Sequence, residues 1–143
     1  MRIPKFLKKG SATGTLIFNL LLFGYVATVG ILCFANLNSL PDIERFIFGI
    51  PTDKIVHFCM FFPFPILAFF AYDKQTDTIL RAVGAAIVIW ATGGIFAGLT
   101  ETIQGLLPYR SEDMTDFMAD LIAITLSSII VLTVDILQII RKK

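Results

Sequence analysis

The chain has 143 residues, the length of one domain, and 56% of them are hydrophobic, with 14 Phe and only 16% charged side chains. That balance excludes a small soluble domain, which has no interior large enough to hide so many large apolar side chains from water. The formal net charge of +1 names no partner, but its distribution does: short basic clusters flank apolar runs at both ends, Arg2, Lys5, Lys8 and Lys9 before the first and Arg141, Lys142 and Lys143 after the last. Beside such runs they read as cytoplasmic anchors of membrane helices rather than as a nucleic-acid surface.

The first apolar run, Thr15 to Leu37, is long enough to cross a bilayer as a helix, with Asn19 its only strongly polar interior residue. A basic start before an apolar run resembles a signal peptide. This run is long, however, and no small-x-small cleavage site follows it, so an uncleaved spanning helix is expected. Cys33 and Cys59 share no CxxC spacing. Two small buried hydrophobes are expected, with a disulfide between the outer parts of helices one and two as the alternative. The loop after span one carries Asn38, Ser39, Pro41, Asp42, Glu44 and Arg45. Phe46-Ile47-Phe48 is expected at the membrane interface, and Gly49 and Pro51 punctuate the chain.

Span two is predicted over Thr52 to Tyr72, capped by Thr52 or Asp53. Pro63 and Pro65 each remove a helical hydrogen bond, so a bend is expected there. After the polar link Asp73-Lys74-Gln75-Thr76-Asp77, span three runs from Leu80 to Leu107 and is long enough to tilt. Pro108 and Tyr109 to Thr115 form a turn, and span four follows over Asp116 to Ile140, capped by Asp113 or Thr115. The prediction is an all-α, single-domain membrane protein over 1–143, an antiparallel four-helix transmembrane bundle. Both termini and the Lys74/Arg81 link share the basic side, which the positive-inside rule assigns to the cytoplasm. No P-loop, HExxH, GxSxG or dinucleotide-binding pattern is present.

Polar residues inside spans are costly and mark functional sites. Asp53 and His57 lie four apart on one helix face, so Asp53 is expected to orient the imidazole or hold it charged. Gly94, Gly98, Glu101 and Gly105 form one stripe of span three, which puts Glu101 on a helix–helix seam, with Gln104 roughly aligned. Asp116 and Asp120 are again four apart, and Arg110 can grip a carboxylate or phosphate. At helical rise, His57, Glu101 and Asp120 each lie about 5–9 Å inside the adjacent helix end, so they can share one layer. Asp53, Gln104, Arg110 and Asp116 would rim it. The Phe-rich stretch is expected to face lipid or fill the bundle, Trp90 lies near mid-span with no ligand assigned, Tyr109 suits the outer interface, and Asp135/Gln138 read as a cytoplasmic end, with a second inner site as the alternative.

At DKIVHF (53–58), ETIQGLLPYR (101–110) and DFMADLIA (116–123) the chain resembles the VanZ-like membrane protein family, associated with resistance to the glycopeptide teicoplanin. Asp53, Lys54, His57 and Phe58 match its first motif, Glu101, Gln104 and Arg110 the second, and Asp116 the last. Asp120 stands where the family usually has asparagine, and Ala123 where glycine is frequent. The resemblance implies a multi-pass protein of the bacterial cell membrane, and the basic flanks place its polar cluster toward the outer face.

The leading expectation is recognition of an outer-leaflet lipid or lipid-linked cell-wall precursor, influencing glycopeptide susceptibility. Asp53, Lys54, Gln104 and Arg110 would be the ligand-binding residues. The alternatives are an acid–base enzyme using His57, Glu101, Asp116 and Asp120, a divalent-metal version holding the ion with the same four residues, and a scaffold whose polar residues fix helix pairing.

Overall fold

The computed structural model describes residues 12–36, 46–72, 76–110 and 112–141. The basic arm (Arg2, Lys5, Lys8, Lys9), the loop residues Asn38 to Arg45, Lys74, and Lys142 and Lys143 lie outside the described residues. The rest forms α1 (Ala12–Phe34), a small hairpin of β1 (Phe46–Ile47) and β2 (Ile50–Pro51), α2 (Thr52–Phe61), α3 (Pro63–Tyr72), α4 (Ile79–Gly105) and α5 (Met114–Arg141). The architecture is the expected all-α four-helix bundle, with α2 and α3 together making one span. Each of the four spans is long and apolar enough to cross a membrane, at 22, 21, 27 and 28 residues.

The second span breaks where its prolines predict. Phe62 closes α2, with its N–H still bonded to the Phe58 carbonyl at 3.0 Å, and Pro63 opens α3. Pro63 lacks the N–H that would continue the ladder, and its fixed φ suits a first helical turn. The cap of α2 differs from expectation. Pro51 is the N-cap residue, with no side-chain bond, because the hairpin leads straight into the helix. Asp113 does cap α5: its Oδ1 accepts from the Thr115 N–H at 2.8 Å and from the Thr115 hydroxyl at 2.7 Å.

α5 is the central element, packed against α2, α3 and α4, whereas α1 packs mainly on α3. Phe61, Ala97, Ala123 and Ile124 are fully buried at the junction, joined by Val29 and Cys33 of α1. Outward-facing residues such as Phe23, Ile31, Leu80, Ile95 and Ile130 are exposed, as lipid-facing residues of a membrane bundle must be. Cys33 is buried, Cys59 is exposed, and both are free thiols.

Small residues let α4 approach its neighbours. Gly94 and Gly98 face Leu121 and Phe117 of α5, and Gly93 is tighter than either. A Cβ there would lie 3.0 Å from Phe64 Cδ1 and 3.1 Å from Ile124 Cγ2. Gly93→Ala is therefore expected to cost about 1–3 kcal/mol by overpacking. Gly94→Ala, whose nearest neighbour is a leucine methyl at 3.4 Å, is expected to hold or raise stability by up to about 1 kcal/mol through helix propensity. Thermal unfolding midpoints of the two variants in detergent micelles check the ordering.

Candidate functional site

The polar side chains converge where α2 begins, α4 ends and α5 begins. His57 lies one turn into α2, and its face meets α5 because Phe61, one turn further on, is fully buried in the core. Asp120, with no exposed surface, approaches the imidazole Nδ1 through Oδ1 at 3.1 Å and Oδ2 at 3.3 Å. One turn earlier on α5, Asp116 Oδ2 lies 3.7 Å from His57 Nε2. From α4, Glu101 Oε1 lies 3.8 Å from His57 Nδ1. The structure thus brings His57, Glu101, Asp116 and Asp120 around one imidazole.

Glu101 is anchored by one oxygen. Its Oε2 accepts the Asp113 backbone N–H at 3.2 Å, while Oε1 is buried and has no hydrogen-bond partner. Gly105 makes that arrangement feasible: a Cβ there would meet Glu112 Cβ at 3.0 Å, so a larger residue would push the returning chain away. An imidazole nitrogen, a Glu101 oxygen and an Asp116 oxygen lie within 4.8 Å of one another, a grouping able in principle to coordinate a metal ion. Asp53, Asp113 and Asp116 form a second such group, but Lys54 sits in it.

Lys54 occupies that position as an internal cation. Its ammonium donates to Asp116 Oδ1 at 2.5 Å, Asp113 Oδ2 at 2.6 Å and Asp53 Oδ2 at 2.8 Å. These bonds match the three donors an ammonium has. Asp113 is held well below the usual carboxylate range by the Lys54 bond, with help from Thr115. Asp53, expected to orient His57, instead turns to Lys54, and Asp120 takes the place beside the imidazole. The i, i+4 spacing permits the Asp53–His57 contact, but the nearer ammonium competes for the carboxylate.

The last members of the sequence-derived set serve α1. A helix ends with carbonyls that have no intrahelical partner. Those of α1 are met from the end of α4 and the turn after it. Gln104 Nε2 donates to the Cys33 carbonyl at 3.0 Å, Tyr109 to Phe34 at 3.0 Å, and Arg110 Nη2 to Ala35 at 3.2 Å and Leu32 at 3.4 Å. A guanidinium also suits the negative end of a helix dipole. Sequence reading missed this cap, because nothing local signals that residues more than 70 positions apart meet. The unused hydrogen-bonding groups of Gln104, Tyr109 and Arg110 after an apolar run were the available signal. The same holds for Tyr25, whose hydroxyl donates to the Met60 carbonyl, and for Trp90, which donates to Thr125 at 2.9 Å. At the opposite end of the bundle Thr76 donates to the buried Asp135.

Fold and site together define a small multi-pass membrane protein with four spanning helices and a buried polar cluster at one end. Among curated proteins the chain is similar to an uncharacterized protein of Schizosaccharomyces pombe, 31% identical over 77 residues. That stretch is 53% of this chain but only 44% of the yeast protein, so the chain spans less than half the length of this relative. No known family description matches the chain, and no solved structure matches it.

Two substitutions separate architecture from site. Asp113→Ala removes the α5 cap and is expected to cost about 1 kcal/mol. Arg110→Ala leaves carbonyls of α1 without a donor and is expected to cost about 1–3 kcal/mol. Both costs are read as lowered unfolding midpoints in micelles.

Proposed function

We propose that the protein binds the polar group of a membrane lipid or lipid-linked envelope precursor within the His57, Glu101, Asp116 and Asp120 cluster. The observation that carries this reading is Glu101 Oε1. It belongs to a residue only 4% exposed, and it has no hydrogen-bond partner, with His57 Nδ1 beyond bonding distance at 3.8 Å. A buried polar atom left unpaired costs about 1–3 kcal/mol, and more when charged. A site that completes itself with a ligand accounts for keeping such an atom beside a histidine.

The proposal differs from an anion-binding rim of Lys54 and Arg110. Lys54 is surrounded by carboxylates and Arg110 caps α1, so recognition falls to the His57 layer. The VanZ-like resemblance at 53–58, 101–110 and 116–123 supports an envelope molecule as the ligand. It also supports an effect on glycopeptide susceptibility as the cellular consequence. The basic flanks of the chain support cytoplasmic termini and a cluster facing the outer leaflet.

Protein purified in mild detergent, with its co-purifying lipids identified by mass spectrometry, tests the reading. Wild type is expected to retain a defined polar lipid. Glu101→Gln and His57→Ala are expected to lose it roughly tenfold or more, the equivalent of one buried polar contact. Arg110→Lys is expected to retain it. Equal lipid content in wild type and both cluster variants would count against the site.

A further inference from the structure

The inner part of the cluster is rich in negative charge. Glu101, Asp116 and Asp120 lie inside it, whereas Asp53 and Asp113 reach solvent, and among the described residues these five carboxylates share one ammonium, that of Lys54, and one imidazole. Lys54 spends all three of its donors on Asp53, Asp113 and Asp116. None of them reaches Glu101 or Asp120, whose side chains are 5% and 0% exposed. Charges withdrawn from water must be paired, bind a cation or be neutralised by a proton.

We infer that His57, Glu101 and Asp116 hold a divalent first-row metal ion, with Asp120 as the carboxylate that positions the imidazole. Three observations converge. The three ligand groups already lie within 4.8 Å of one another. Ligand atoms bound at about 2.0–2.2 Å on one ion stand roughly 3–4 Å apart, so an ion would draw the three groups together. Glu101 Oε1 is buried without a hydrogen-bond partner, 3.8 Å from the ring's Nδ1, and would turn toward Nε2 to share an ion with Asp116. Asp120 accepts the Nδ1 proton at 3.1 Å, which leaves the Nε2 lone pair directed away from it, on the side where Asp116 Oδ2 stands at 3.7 Å. A metal-bound histidine characteristically gives its other N–H to a carboxylate in this way.

Asp116 links two cation positions, with Oδ1 on the Lys54 ammonium and Oδ2 turned to the imidazole. The second acidic group, Asp53, Asp113 and Asp116, is already filled by that ammonium, so the ion belongs with His57. Mixed imidazole and carboxylate ligands suit zinc or manganese. Three protein ligands leave a coordination position open. An anionic headgroup, carrying phosphate or carboxylate, fits that position. The metal then supplies the positive charge that Lys54 and Arg110 have spent elsewhere. This deepens the proposed lipid site, resting on the same cluster, but metal occupancy itself does not require a lipid.

The test uses the full chain in detergent, stripped with a chelator, dialysed against Zn2+ or Mn2+ and analysed for metal per chain. The expected result is stoichiometric uptake. Glu101→Gln and His57→Ala are expected to abolish it, and Asp120→Asn to weaken Zn2+ affinity roughly 10–100-fold. Circular dichroism confirms that each variant is folded. Since His57→Ala can fail to fold, a Co2+ absorption spectrum of wild type, shifted in Asp120→Asn, reports imidazole ligation independently. Folded wild type that takes up neither ion, or Glu101→Gln with wild-type uptake, overturns the metal site. Lipid retention is measured on the same samples. Lipid without metal overturns the metal alone, and metal without lipid overturns the lipid reading and leaves the metal standing.

Discussion

The hydrogen bond between Asp120 and His57 is the contact on which this molecule turns. It joins α5 to α2 across 63 positions of sequence, with the carboxylate wholly buried and the imidazole nearly so. In apolar surroundings neither group tolerates separation from the other, so the bond fixes the rotation of both helices. Once they are so turned, Asp116 faces the far side of the imidazole one turn above Asp120. Lys54, almost one turn before His57, falls among Asp53, Asp113 and Asp116. The polar cluster follows from the register of two helices.

The remaining constraint is the end of α1. This helix packs chiefly on α3 and exposes much of its length, so its last carbonyls need donors from elsewhere. Gln104, Tyr109 and Arg110 provide them. They follow Glu101 within a few residues on the same segment. One stretch of chain therefore contributes a carboxylate to the cluster and closes α1 over its neighbour. Burial of Cys33 and Val29 against Phe61 and Ala97 completes that attachment. This coupling explains why Arg110 and Gln104 lie close to the cluster without belonging to it.

The four spans, the break at Pro63 and the Asp113 cap are legible in the sequence, because each depends on local facts: run length, a missing N–H, a carboxylate before a helix. The common depth of His57, Glu101 and Asp120 is legible too, since depth along antiparallel helices follows from helical rise, whereas Asp116, expected on the rim, also reaches the imidazole. The pairing of donors with acceptors is not. Spacing offers His57 the carboxylate of Asp53, but Lys54 is closer to Asp53 and competes for it. Arg110 reads as an anion-binding group until the carbonyls of α1 arrive beside it. In both cases helix packing, set by residues far apart in sequence, decides among chemically equivalent partners.

The central claim is that Glu101 is kept for a ligand, and not as glue between helices. The ligand-free unfolding midpoint of Glu101→Gln tests it most directly. Glutamine preserves the acceptor that meets the Asp113 N–H while removing a charge from a crowded acidic site. Because ligand sites retain charge at the expense of stability, the account predicts a midpoint equal to or above that of stripped wild type. A clear fall in the midpoint of the folded variant would show that the Glu101 charge holds the bundle together, and would contradict the account.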